Sequence, residues 1–157
     1  MIPRRGRREP RAGPAGHHAV GASAGGAARV VIDTNVFVGA AFRKSSASAR
    51  LLSAVRSGAA TLVWDAPTRD ETRAVLGRIP RLSWDAVADL FREEARFTGE
   101  TRPEGFGRIA DPADRKFAAL AAAAGCTLVS SDRHLLDHRD SLGVPVLTPG
   151  ELMSGAV

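Results

Sequence analysis

Cysteine is almost absent. The chain has 157 residues and one cysteine, Cys126, which excludes an intramolecular disulfide and fits a reducing cytoplasm. Lying between Gly125 and Thr-Leu-Val, that cysteine reads as a small buried side chain at the start of a strand, not a reactive thiol. Long apolar runs are missing as well: no segment approaches the roughly 18 residues of a membrane span. Arg4-Arg5 lacks the Leu-rich apolar region of an export signal, since Arg, Pro, Gly and His follow it. Cysteine pairs are missing too, and with them the thiolate donors of a structural zinc site.

Charge is unevenly placed. The net charge is +5, yet residues 29–157 carry 17 basic against 16 acidic side chains. The excess comes from Arg4, Arg5, Arg7, Arg8 and Arg11, so the high pI says little about the folded domain. Residues 1–28, rich in Gly, Ala and Arg, have too few large apolar side chains to offset the entropy of ordering and are expected to be a disordered basic arm. A nucleic-acid-gripping arm is the alternative for the same composition. Residues 29–153 are expected to form one domain, large enough for its own core, with 154–157 a short tail.

The domain opens on Arg29-Val-Val-Ile-Asp33-Thr34-Asn35. Val30, Val31 and Ile32 are a β-branched run, the pattern of a strand covered on both faces, and Asp33 stands where it ends. A loop with Gly39, Arg43 and Lys44 is expected next. A helix then starts at Ser45, Ser46 or Ser48, turns Leu51, Leu52 and Val55 inward and stops at Gly58. Thr61-Leu-Val-Trp64 reads as a second strand. Asp65 caps a second helix with Pro67 in its first turn, and Thr68, Thr72, Ala74, Val75 and Ile79 form its inward face with Glu71 at the edge. Ser83 caps an expected third helix whose core stripe is Trp84, Val87, Leu90, Phe91 and Ala95. An edge strand is expected near Phe97 to Thr101. Asp111-Pro112-Ala113-Asp114 opens a fourth helix that stops at Gly125, with Asp111 as cap and Asp114 at the third position. Thr127-Leu-Val-Ser130 is a strand, with Asp132 just past its end. A short helix at 134–138 follows, then an edge strand at Val144-Pro-Val-Leu147 and a capping box from Thr148 to Glu151. Strands alternating with helices predict an α/β fold: a central, mostly parallel sheet of about five strands with helices on both faces.

Four acids stand out in this order. Asp33 and Asp132 each follow a strand at the same edge of such a sheet, where α/β folds bind their ligands. Asp114 opens the helix that leads into the strand before Asp132, and Glu71 reaches the crevice from the second helix. Each has a plain reading too, as a helix cap or as a surface carboxylate, with Glu71 paired to Arg78 or Arg115. Four converging carboxylates repel unless they are hydrogen-bonded, partly protonated or neutralised by cations. An all-oxygen set suits Mg²⁺ or Mn²⁺. Such an ion lowers the pKa of bound water and stabilises charge on a phosphate, which is the chemistry of phosphodiester hydrolysis.

Taken together, Asp33-Thr34-Asn35, Glu71 in Glu-Thr-Arg-Ala-Val-Leu76, Asp111-Pro-Ala-Asp114-Arg-Lys-Phe117, Leu-Val-Ser-Ser-Asp132 and Val-Pro-Val-Leu-Thr-Pro149 resemble the motifs of PIN-domain nucleases. They are most similar to the branch of toxin components in toxin–antitoxin pairs, relatives of the VapC-type toxins, over about residues 29–153. The resemblance implies a three-layer α/β/α sandwich and a Mg²⁺- or Mn²⁺-dependent endoribonuclease, often dimeric and held inactive by an antitoxin protein. By position it implies that Asp33, Glu71, Asp114 and Asp132 are the acidic metal-site residues. Thr34 and Asn35 would support the first Asp, Ser130 would orient the site, and Asp111 would be an acid or a cap alone. Ala113, Arg115 and His134 stand where acids are common in that branch, which bears on a second metal. Arg43, Lys44, Arg115, Lys116, Arg133 and His134 are candidates for holding RNA phosphates, contacts that position without reading sequence.

Two further readings compete. A phosphatase working through a phospho-aspartate on Asp33 would want a second Asp two residues on, where Asn35 stands. A non-catalytic scaffold that binds RNA or protein would be favoured by missing carboxylates, and all four are present.

Overall fold

The computed structural model describes residues 27–155. The N-terminal arm expected from composition therefore lies outside the described residues, apart from its last two positions. Four parallel strands form the sheet: β1 (Ala28–Ile32), β2 (Ala60–Leu62), β3 (Thr127–Val129) and β4 (Val146–Leu147), in the spatial order β2-β1-β3-β4. Val30 is in register with Leu62 on one side and Thr127 on the other. The β-branched run of β1 is thus central, paired on both sides and buried on both faces, as its composition predicts.

The pleat sends alternate residues to two cores. Val30, Ile32, Leu62 and Val129 pack with Val36, Phe37, Leu51, Leu52, Val55 and Leu76 from α1 (Thr34–Phe42), α2 (Ala47–Ser57) and α3 (Ala66–Arg78). Val31, Val63 and Leu128 pack with Phe117, Leu120 and Leu135 from α4 (Pro112–Ala124) and α5 (Arg133–Asp137) on the other face. The result is the expected three-layer α/β/α arrangement. A short α6 (Pro149–Met153) closes the chain behind its Thr148–Glu151 capping box. Glycine ends α2 and α4: Gly58 and Gly125 have φ of 88° and 67°, a conformation that costs a residue with a Cβ. No described helix is long and apolar enough to cross a membrane.

Three expectations need correction. Among the described residues the sheet has four strands, not about five. The expected edge strand near residues 97–101 shrinks to one parallel bridge between Trp64 and Arg96, with Phe97 N–H donating to the Trp64 carbonyl at 2.7 Å. Gly99 and the polar residues around it leave nothing to extend it. Residues 34–42 are a helix rather than a loop, because the Asp33 side chain caps it and Val36, Phe37 and Ala40 have a core to enter. The helix expected from Ser83 is instead three 3₁₀ turns at residues 84–86, 88–90 and 93–95. Trp84 and Phe91 pack at a tilt with ring centroids 4.9 Å apart. On a continuous helix, side chains seven residues apart would stand roughly 10 Å apart along the axis. Trp64 Nε1 also donates to the Arg92 carbonyl at 2.7 Å, so the aromatic cluster, not helical periodicity, sets this path.

Candidate active site

Adjacent parallel strands put their carboxyl ends side by side. The Asp33 N–H donates to the Val129 carbonyl at 3.0 Å, which ties the end of β1 to the end of β3. From there Asp33 caps α1 and Asp132 caps α5. Asp114 lies in the first turn of α4, behind the Asp111 cap, and Glu71 projects from α3. Asp33, Thr34, Asn35, Glu71, Asp111, Asp114 and Asp132 line one open crevice of about 150 Å³, with Val75, Ala113 and Phe117 as its apolar wall. That volume holds several waters.

A comparison with Asp65 separates cap from site. Asp65 also follows a strand and caps a helix, and it is also buried. Its carboxylate is consumed locally: Oδ1 accepts from the Thr68 N–H at 3.0 Å and the Thr68 hydroxyl at 2.8 Å. Asp33 uses Oδ1 as a cap, accepting from the Val36 N–H at 3.3 Å, but its Oδ2 accepts from the Ser130 hydroxyl on the neighbouring strand. The Ser130 oxygen in turn accepts from the Asp132 N–H at 3.0 Å. One fully buried hydroxyl therefore fixes two acids relative to each other. Thr34 and Thr72 hydrogen-bond through their hydroxyls at 3.1 Å and lock α1 to α3 beside Glu71.

The electrostatics follow from burial. Asp33 is 3% exposed, and its carboxyl is pushed up to about 7. Burial is the main cause, Ser130 and the Val36 N–H oppose it, and the charges of Asp114 and Asp132 add to it. Asp114 rises to about 6, through burial first, then Asp111, Asp132 and Glu71. Among the described residues, Glu71 alone of the five lining acids has a basic side chain within ion-pair distance. The carboxylates share a crevice without closing on a point: no three His, Cys, Asp or Glu side chains among the described residues form a ready-made ligand set. The donors nevertheless suit a hard divalent cation, being all oxygen, partly buried and short of positive charge.

The candidate cations divide. Arg133 and His134 are exposed on the first turn of α5, beside Asp132. Arg43 and Lys44 follow the far end of α1, which carries them roughly 15 Å along the helix from Asp33. Lys44 lines a separate groove with Phe37, Leu52 and Arg56. Arg115 turns away, donating to the Ile109 carbonyl at 2.9 Å. Lys116 meets Glu71, with Nζ 3.4 Å from Oε2, in place of the pairing expected with Arg78 or Arg115. Sequence reasoning missed this pair, and although it set Thr72 on the inward face of its helix it missed the bond from there to Thr34. Cys126 is buried, and burial pushes its thiol up to about 11, so it is inert at neutral pH.

No curated protein matches the chain. The fold is shared with a solved structure, that of FitAB bound to an IR36 DNA fragment. The two are 16% identical with a TM-score of 0.51, over 76% of this chain and 94% of that one. The PIN domain family model matches residues 29–134, from β1 through the acids at 33, 71, 111, 114 and 132 into α5. The chain belongs to the PIN domain family.

Proposed function

We propose that the protein is a Mg²⁺- or Mn²⁺-dependent endoribonuclease and the toxin component of a toxin–antitoxin pair. The observation that carries the nuclease reading is Asp33: a carboxylate 3% exposed, among four other acids, with no basic partner among the described residues. A fold keeps such a group at a cost, and a cation relieves it. Membership of the PIN domain family supports the nuclease class. The toxin–antitoxin assignment rests on the resemblance of the motifs; an antitoxin protein and a second copy of the chain are the partners it implies.

Asp33, Asp114 and Asp132 would hold the ion. When bound, Mg²⁺ or Mn²⁺ supplies Lewis acidity at the crevice, activating water and offsetting charge on a phosphate. The chain's own residues position these acids. Ser130 holds Asp33 and the backbone of Asp132 together, and the Thr34–Thr72 bond fixes the helix that bears Glu71. Arg133 and His134, exposed beside Asp132, would contact phosphates of an RNA strand entering the crevice. Asn35, exposed in the first turn of α1, lines the same opening.

The test is cleavage of a structured RNA pool by the purified protein with Mn²⁺, with Mg²⁺ and with EDTA, beside Asp33→Asn. Cutting that needs the metal and disappears in Asp33→Asn is the expected result. Cutting that persists in EDTA or in the variant overturns the assignment, and a folded protein that never cuts favours a binding scaffold.

A further inference from the structure

Lys116 stands apart from the other cations near the crevice. It projects from α4 and reaches Glu71 on α3, 45 residues earlier in the chain. The two side chains are 28% and 24% exposed, so the pair is half-buried and bridges the two helices whose acids line the opening. Arg115, one residue before it, is committed to the carbonyls of Ile109 and Gly107. Arg133 and His134 are exposed. Lys116 is therefore the one basic group among the described residues that balances an acid of this crevice.

The placement has a consequence for ion count. Two-metal phosphoryl-transfer sites place their cations about 3.5–4 Å apart, each held by carboxylates. Among the described residues Asp33, Asp111, Asp114 and Asp132 are the lining acids without a cation, Asp111 being engaged as the cap of α4, and Glu71 is already matched. A second divalent ion at Glu71 would have to displace an ammonium group or sit against it, in surroundings where like charges repel strongly. A lysine suits the role, being a compact charge on a long stem.

We propose that Lys116 is a built-in cation of the crevice, neutralising Glu71 and limiting the site to one divalent ion. It is a positioning residue, not a phosphate contact. This inference rests on the metal-dependent reading of the same crevice.

The experiment counts Mn²⁺ bound to the full chain without RNA, from the electron paramagnetic resonance signal of free Mn²⁺, alongside thermal unfolding of each variant. The wild type is expected to bind one ion. Lys116→Gln should bind two, Lys116→Arg one, and Lys116→Gln combined with Glu71→Gln one again. Asp33→Asn should weaken the first ion at least tenfold. Should Lys116→Gln fail to fold, Lys116→Met keeps the apolar stem and is read in the same way. Two ions on the wild type would overturn this inference alone, and no ion on the wild type would overturn both it and the metal-dependent reading. One ion on Lys116→Gln, with RNA affinity reduced, would overturn it in favour of a phosphate contact.

Discussion

Asp33 is expected to destabilise the protein it serves, and the size of the effect follows from its environment. Its carboxyl is held at about 7 in the fold, against 3.8 for the same group in an unfolded chain. Between those values the native state keeps a proton that the unfolded state has released. Stability therefore falls as pH rises through this window, by about 1.4 kcal/mol per pH unit and roughly 4 kcal/mol in all. Most of that, roughly 3 kcal/mol, lies between pH 5 and pH 8. Asp114 acts in the same direction, but it is half exposed and solvent screening makes its share smaller. The perturbation is Asp33→Asn, which removes the charge and keeps the volume. The assay is urea unfolding in EDTA from pH 5 to pH 8. With m of about 1–3 kcal/mol/M, the wild-type midpoint should drop by about 1 M or more. The variant should lose most of that slope and be the more stable protein at pH 8, though its amide cannot accept the Ser130 hydroxyl as Oδ2 does. Mn²⁺ at 100 times its Kd should restore about 2.7 kcal/mol to the wild type at pH 8 and, with affinity weakened at least tenfold, about 1.4 kcal/mol or less to the variant. Equal pH slopes in the two proteins, or a wild type more stable at pH 8 than at pH 5, would refute the reasoning.

Other sites give sharper local tests. Ser130→Ala removes the hydroxyl that favours ionised Asp33, a bond to a charged group worth about 1.5–3 kcal/mol. Calorimetric Mn²⁺ affinity should fall at pH 7 and recover as pH rises, whereas a loss equal at both pH values would mean the hydroxyl acts only through packing. Thr72→Val strands the Thr34 hydroxyl in a buried site and should cost about 1–3 kcal/mol in thermal unfolding. Gly125→Ala should cost about 1 kcal/mol through its positive φ alone, since nothing lies within 4 Å of the added methyl group. Metal-dependent cleavage by the folded protein should be unchanged.

How far the sequence revealed the fold depended on whether periodicity or packing decided each segment. The β-branched run at 30–32, the stops at Gly58 and Gly125, the cap at Asp65 and the capping box at Thr148 are local chemistry, and the structure has them where the residues imply. Residues 34–42 were not legible as a helix because Val36, Val38 and Gly39 are weak helix formers. What holds that helix is a buried cap and a core on one side, neither visible in a linear string. Residues 84–95 failed in the opposite sense. Their spacing reads as helical, but Phe91 stacks on Phe37 at 5.6 Å and meets Trp64 edge-on at 5.9 Å, contacts with segments about 27 to 54 positions away.

The site shows the same division. Acids placed after strands could be listed from the sequence, because strand order and parallel pairing bring their ends together. Their partners could not. Arg115 and Lys116 are adjacent, both basic and both in the second half of the same short motif, and only one faces Glu71. Hydrophobic periodicity could not choose between them, since Ala118, Ala119, Leu120 and Ala121 are all buried and leave α4 without a polar face to fix its phase. The choice is made by the loop before α4, which presents the Ile109 and Gly107 carbonyls to one guanidinium and leaves the neighbouring ammonium to reach Glu71 on α3. A charge balance in an acidic site is therefore set by loop carbonyls that carry no side-chain signal. Exchanging the two residues, with Lys at 115 and Arg at 116, would keep composition and net charge. It is expected to cost the carbonyl contacts made from position 115 and so lower the thermal midpoint, while the Arg at 116 still neutralises Glu71 and the Mn²⁺ count stays at one.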